Sequence, residues 1–205
     1  MSDQWQFPTG LTAVQALEFA RETEHPAILN HSLRTYLHAE RAAARRSMRA
    51  GLDYEQDLLF YACLLHDMGA SDRFDGHQRF EVEGADAAAG FLVEHGVDEF
   101  RADQVWQAIA LHTSPGIVER RGPIPVLTRL GVQADFGSGA ELTEAEVTEL
   151  ERTYPRLRIE HVLAGIVVQQ AARNPTKAPA SSWPGRMLRA HLAGETAPDG
   201  LNAAF

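Results

Sequence analysis

The sequence has little of what disulfide-stabilised or membrane-spanning proteins need. Its 205 residues contain one cysteine, Cys63, which lies in an apolar run and cannot form an internal disulfide, so we expect it to have a packing role. No stretch approaches the ~18 consecutive apolar residues of a spanning helix, so we expect no membrane association. Residues 1–8 have neither a basic leader nor an apolar segment, which predicts a cytoplasmic protein.

Acidic residues outnumber basic ones, with 28 Asp and Glu against 19 Lys and Arg, so the formal net charge is -9 at pH 7. Affinity for nucleic acids comes mainly from Lys and Arg side chains that neutralise phosphates, so we expect no nucleic-acid polymer as a partner. Lys177 is the only lysine in the chain. Any group that clamps an anion would therefore have to be built from arginine.

What the sequence does contain is a helical pattern of apolar residues, interrupted by glycine and proline. It predicts an all-α fold in a single domain over residues 1–205, with a motif-bearing core at about 30–137 and C-terminal helices within 143–193 that cover it. The predicted helices cover about 11–22, 30–50, 58–65, 82–95, 102–112, 124–135 and 159–173, with a polar helix opened by the capping-box pattern Thr143 to Glu146 and a short helix after Ser182.

Residues 58–65 are apolar on every side, which predicts a helix buried all round, and this helix ends in His66 and Asp67. Buried ionisable groups are costly unless they are paired or bind a metal. Imidazole nitrogen and carboxylate oxygen together suit Fe²⁺, Mn²⁺, Zn²⁺ or a similar ion. The alternative for an isolated His-Asp pair is a capping role at the end of a helix.

The order His31, then His66 and Asp67, then Asp135, each at an apolar helix surface, resembles the metal-binding pattern of the HD superfamily. The resemblance covers about residues 30–137. It implies a helical bundle around a single metal site, in which one divalent transition metal is held by these four residues. The segments 30–36, 66–69, 79–85 and 109–113 are similar to those of the cyanamide hydratase branch.

The resemblance also bears on the number of metals. Two-metal members carry a histidine four residues before a glycine, where this chain has Phe80 before Gly84, and phenylalanine cannot bind a metal. We therefore expect one ion. His112 resembles another second-metal histidine, and we predict that it contacts substrate or exchanges protons, with Asp67 as its catalytic partner in orienting water.

Arg34 lies three residues after His31, on the same helix face. One interpretation is that it binds a polar or anionic group of the substrate. The other is a salt bridge to Asp67 or to another carboxylate, which would position a metal ligand. The two interpretations have the same sequence signature.

Three functions are compatible with these residues. The first is a hydratase or hydrolase of a small molecule, resembling cyanamide hydratase, in which metal-activated water adds to a nitrile-like carbon. The second is a phosphohydrolase acting on a nucleotide or another phosphate monoester. The third is a catalytically silent binding module, against which the intact set of ligands argues. We expect a small-molecule substrate, and a homo-oligomer stays an open alternative.

Overall fold

The computed structural model of the chain describes residues 5–137 and 142–195, and these residues form nine α-helices and no β-strand. The all-α prediction is confirmed. In chain order the helices are α1 (Leu11–Thr23), α2 (Pro26–Arg45), α3 (Gln56–Leu65), α4 (Phe80–Glu94), α5 (Glu99–Leu111), α6 (Pro123–Asp135), α7 (Glu144–Thr153), α8 (Ile159–Arg173) and α9 (Trp183–Ala193).

Helix α3 lies at the centre of the core. Every residue from Leu58 to Leu65 is buried, as the continuous apolar run predicts, and the helix packs against α1, α2, α5 and α6. Cys63 is a fully buried free thiol within it. His66 and Asp67 directly follow Leu65, the last residue of this buried helix, so their side chains are buried in the interior as well.

Two close approaches between backbones bring the site together. A Cβ atom on Gly131 of α6 would lie 2.3 Å from the carbonyl oxygen of Thr35, so glycine is needed where α6 crosses α2. A Cβ atom on Gly84 of α4 would lie 2.8 Å from the backbone nitrogen of Gly69, in the turn just after Asp67. Both contacts hold neighbouring helices against the segments that carry the candidate ligands.

Helix α2 begins earlier and ends earlier than the sequence pattern predicts, at Pro26 and Arg45. Proline suits the first position of a helix because it has no backbone N–H to leave unpaired. The preceding residue, His25, caps the helix, since its Nδ1 atom accepts a hydrogen bond of 3.1 Å from the backbone N–H of Ala27. His31 therefore lies in the second turn of a well-anchored helix.

The C-terminal helices α8 and α9 pack against each other, and α8 also packs against α2. Side chains from both helices line the cavity described below. Over the two described ranges, none of the helices is sufficiently long and apolar to cross a membrane.

Candidate metal centre

The structure brings His31, His66 and Asp67 together in the interior. His31 comes from α2, and the other two follow the last residue of α3. One potential ligand atom from each of the three lies within 4.8 Å of the others, and all three side chains are buried. The distance from Nε2 of His31 to Nε2 of His66 is 3.1 Å. From Oδ2 of Asp67, Nε2 of His66 lies 3.3 Å away and Nε2 of His31 lies 3.8 Å away.

Hydrogen bonds at the other ring nitrogens show which atoms are free to bind an ion. Nδ1 of His66 lies 2.9 Å from the carbonyl oxygen of Cys63, and Nδ1 of His31 lies 2.6 Å from Oδ2 of Asp135. Both partners are acceptors, so each Nδ1 must carry the proton and donate it. In the neutral rings, the two Nε2 atoms therefore present lone pairs to each other across 3.1 Å. That arrangement is repulsive unless a proton or a metal cation lies between them.

The charge distribution favours such a cation. Burial raises the pKa of Asp67, but the neighbouring His66 outweighs this effect and holds the pKa well below its usual value, so the carboxylate is ionised. Burial lowers the pKa of His66, but Asp67 outweighs it and raises the pKa overall. Oδ2 of Asp67 is buried and has no hydrogen-bond partner among the described residues. A buried charged oxygen without a partner is costly, and a bound cation would satisfy it.

The distances also fit a metal. Two ligands that each lie ~2.0–2.2 Å from one ion are separated by roughly 2.8 to 3.6 Å, for angles between square and tetrahedral. Two of the three separations, 3.1 and 3.3 Å, fall in this range, and the third, 3.8 Å, is slightly longer. The residues present could therefore hold a divalent ion, and the same donors suit Fe²⁺, Zn²⁺ and Mn²⁺.

His112 lies beside this cluster, immediately after α5. Its ring centroid is 4.9 Å from that of His66, and its Nε2 atom is 3.7 Å from Oδ1 of Asp67. Its Nδ1 atom donates to the carbonyl oxygen of Ile109 at 2.7 Å, which leaves the lone pair on Nε2. Burial, followed by the charge of His66, lowers the pKa of His112 to about 3. The ring is therefore neutral near pH 7, with its Nε2 lone pair directed to the cluster.

The backbone around His112 is held by a second buried carboxylate. Glu81 is fully buried and accepts a 2.6 Å hydrogen bond from the hydroxyl of Thr113 and a 2.8 Å one from Arg79. Thr113 lines the cavity next to His112. Glu81 thus fixes the segment that carries the candidate proton acceptor.

Asp135, the predicted fourth ligand, lies behind His31 in this structure. Its Oδ2 atom accepts from Nδ1 of His31, and both of its oxygens accept from Arg34. Burial opposes ionisation, but the bonds from His31 and Arg34 hold the pKa of Asp135 well below its usual value. A carboxylate that hydrogen-bonds the second nitrogen of a ligating histidine fixes the orientation of the ring. Direct ligation by Asp135 stays a prediction.

Arg34 does not line the cavity beside the cluster, and its contacts bear on which of its two predicted roles the structure favours. The side chain is fully buried, and it donates from Nε to Oδ1 of Asp135 at 2.6 Å and from Nη2 to Oδ2 at 2.8 Å. Nη1 donates to the carbonyl oxygen of Tyr154 at 2.9 Å. The guanidinium is thus occupied on every edge, so the structure favours the alternative in which Arg34 positions a carboxylate.

A cavity of about 250 Å³ opens onto the cluster and His112. Its apolar lining includes Phe80, whose ring centroid lies 5.9 Å from that of His112. Two arginines that the sequence reasoning missed, Arg129 and Arg186, also line it. Arg129 lies on the same face of α6 as Val132 and Phe136, at i, i+3 and i+7, a spacing that could have indicated it.

Comparison with known proteins agrees with this geometry. The chain is similar to two proteins of Saccharomyces cerevisiae, cyanamide hydratase DDI2 and cyanamide hydratase DDI3, with 28% identity to each over 176 residues, which cover 82% of this chain and 76% of each relative. The family model of the HD domain matches residues 28–153, a region that includes all four of the predicted ligands. With the buried His-His-Asp cluster at the centre of that region, the chain belongs to the HD domain family.

Proposed function

We propose that the chain is a metal-dependent hydratase that adds water to a nitrile-like carbon of a small molecule. The cavity carries the proposal, because its volume of about 250 Å³ lies directly beside His31, His66 and Asp67. Pockets for drug-sized ligands usually measure ~300–1,000 Å³, so this one suits a substrate of few heavy atoms. The similarity to two yeast proteins named cyanamide hydratase supports the same class of reaction.

His31, His66 and Asp67 would hold the metal, with Asp135 as a further proposed ligand. A divalent ion bound there would supply acidified water near neutral pH and would polarise a bound nitrile. Oδ1 of Asp67 faces Nε2 of His112 at 3.7 Å, so a water between these atoms could be oriented by both side chains.

His112 is the proposed proton carrier. Hydration forms a bond between the water oxygen and the nitrile carbon, and both water protons must end on the nitrile nitrogen. The first transfer gives an imidic acid, and the second converts the imidic acid into the amide. Nε2 of His112 carries a lone pair and faces the cluster, so in each transfer it can accept a proton from the oxygen and deliver it to the nitrogen. Its hydrogen bond to Ile109 keeps the ring in this orientation throughout.

A specific observation favours the second candidate, hydrolysis of a phosphate monoester. Phosphoryl transfer relies on cationic groups that stabilise the charge of the transferring group. The cavity contains Arg129 and Arg186, although Arg34 is buried elsewhere. The small volume of the cavity argues against a whole nucleotide and leaves a small phosphate ester as the alternative.

The two reactions can be separated in one set of assays. Protein reconstituted with Fe²⁺, Zn²⁺ or Mn²⁺ should form urea from cyanamide and should release no phosphate from small phosphate monoesters or from nucleoside monophosphates. The Asp67→Ala variant should lose the activity altogether, and His112→Ala should lose about 10²- to 10⁴-fold in kcat. Metal-dependent phosphate release without hydration of cyanamide or related nitriles would replace the proposed reaction with the second candidate.

A further inference from the structure

The two arginines of the cavity come from different helices. Arg129 belongs to α6 and Arg186 to α9. The only lysine, Lys177, is buried elsewhere, and its Nζ atom donates to Asp75 at 2.7 Å. In a chain whose formal net charge is -9, this cavity is lined by two guanidinium groups and by one carboxylate, that of Asp67, an arrangement that needs an explanation.

The start of α9 is built to hold Arg186 at the cavity. The hydroxyl of Ser182 caps the helix by accepting from the backbone N–H of Gly185 at 3.2 Å. A Cβ atom on Gly185 would lie 2.1 Å from the carbonyl oxygen of Pro179, so the first turn is pressed against the preceding segment. Trp183 and Arg186, three residues apart on one face, both line the cavity as a result.

The backbone N–H of Arg186 donates to the carbonyl oxygen of Ser182 at 3.0 Å, but its side chain has no hydrogen-bond or ion-pair partner among the residues that the structure describes. Arg129 is anchored, since Nη1 donates to the carbonyl oxygen of His112 at 2.8 Å and Nε lies 3.3 Å from Glu119, whose side chain is 47% exposed. Burial and, to a smaller extent, the charge of Arg186 lower the pKa of Arg129. The two guanidinium groups thus repel each other. The exposed carboxylate of Glu119, which pairs with Arg129 alone, offsets this repulsion only in part.

We propose that Arg129 and Arg186 form a subsite for a compact oxyanion, a carboxylate or a phosphate, that the substrate of the metal site carries. A bound oxyanion would receive charge-assisted hydrogen bonds from both guanidinium groups and would remove their mutual repulsion. The apolar walls formed by Phe136, Leu163 and Trp183 would contact the carbon chain between this group and the reacting carbon. This inference rests on the proposed function in one respect only, namely that the reacting group of the substrate is a nitrile.

The size of the cavity limits the length of that substrate. A compact space of about 250 Å³ is roughly 8 Å across. A nitrile joined to a carboxylate by two carbons, such as 3-cyanopropanoate, can reach from the candidate metal centre to the arginines within this distance. Its uncharged counterpart of nearly the same shape is 3-cyanopropanamide.

The first experiment measures anion binding without turnover. Calorimetric titration of inorganic phosphate and of acetate into the full-length protein, with a chelator present to keep the metal site empty, should show saturable binding of at least one of them. Arg186→Gln should weaken this binding about tenfold or more, and Arg186→Lys less. The matched control is Arg189→Gln on the same helix. Arg189 is exposed, and within residues 5–137 and 142–195 its side chain hydrogen-bonds only to the carbonyl oxygen of Ala180, so this variant should bind as the wild type does.

The second experiment measures selectivity in the metal-loaded enzyme. The ratio of kcat/KM for 3-cyanopropanoate to that for 3-cyanopropanamide should be about ten or more, should fall towards one in Arg186→Gln, and should be kept in Arg189→Gln. Preference for phosphate in the titration would identify a phosphate-bearing substrate, and preference for acetate a carboxylate-bearing one.

The two proposals can fail separately. Anion binding that depends on Arg186, with no nitrile hydrated, would overturn the proposed reaction and support the subsite. Nitrile hydration with no preference for the charged substrate, and with no binding lost in Arg186→Gln, would overturn the subsite and support the reaction. A loss of binding that is equal in Arg186→Gln and Arg189→Gln would also overturn the subsite.

Discussion

Replacing Arg34 distinguishes a positioning role from substrate binding. The guanidinium is fully buried and donates two hydrogen bonds to Asp135 and one to the backbone of Tyr154. In Arg34→Met the carboxylate would stay buried with His31 as its main partner. Removing one partner of a buried ion pair usually costs ~3–5 kcal/mol.

We take the lower end of this range, because Nη1 of Arg156 already lies 3.5 Å from Oδ1 of Asp135 and can compensate in part. The expected loss is about 3 kcal/mol in the free energy of unfolding, which corresponds to ~6–12 °C in Tm for a chain of this size. Arg34→Lys should fall between the wild type and Arg34→Met, since lysine cannot form the paired hydrogen bonds of arginine.

Equilibrium unfolding in urea, with a chelator present to remove any contribution of bound metal, measures this loss. Unchanged stability in Arg34→Met, together with a raised KM for the substrate, would refute the assignment. Arg34 would then be a substrate-binding residue, as the other interpretation of its position has it.

The remaining predictions concern packing and charge away from the cavity. On α4, Gly90→Ala should raise the free energy of unfolding by about 0.4–1 kcal/mol, because an added Cβ meets nothing within 4 Å. Gly84→Ala should lower it, because the added Cβ would lie 2.8 Å from the backbone nitrogen of Gly69. Urea unfolding in which both variants shift the free energy in the same direction would contradict this. Asp75, although burial opposes ionisation, has its pKa lowered by Lys177 and Arg173, so its stabilising effect is present above its ordinary pKa and is lost as the pH falls through the lowered value. The difference in unfolding midpoint between wild type and Asp75→Asn should therefore be largest near pH 7 and should vanish in acid, and a difference that grows in acid would contradict the ion pairs.

The helices and the centre of the site could be predicted from sequence for identifiable reasons. Residues 58–65 are all apolar, so every side of α3 must be buried in the core, and this burial follows from composition alone. His66 and Asp67 end that helix, so their burial follows as well. His31 could be assigned to the same site because its place in the chain, ahead of His66 and Asp67, matches the ordered pattern of the HD superfamily.

The surroundings of the site could not be predicted in the same way, because they depend on which helix lies opposite. Arg34 has the same spacing from His31 whether it binds substrate or Asp135. Only the crossing of α2 and α6 determines which of these two groups lies beside its guanidinium. Helix α6 carries Asp135 on one face and Arg129 on another; the spacing of Arg129, Val132 and Phe136 shows that these three share a face, but only the fold shows that this face borders the cavity. Arg186 lies on α9, outside the motif-bearing region, where no local pattern indicates a role.

The most direct test of the single metal site is the metal content of purified, reconstituted and dialysed protein, measured by plasma mass spectrometry for the wild type and two histidine variants. The wild type should contain about one divalent ion per chain. His66→Ala should contain almost none, because Nε2 of His66 faces both His31 and Asp67, whereas His112→Ala should keep most of the metal. Two ions per wild-type chain, or equal loss from both variants, would contradict a single site held by His31, His66 and Asp67.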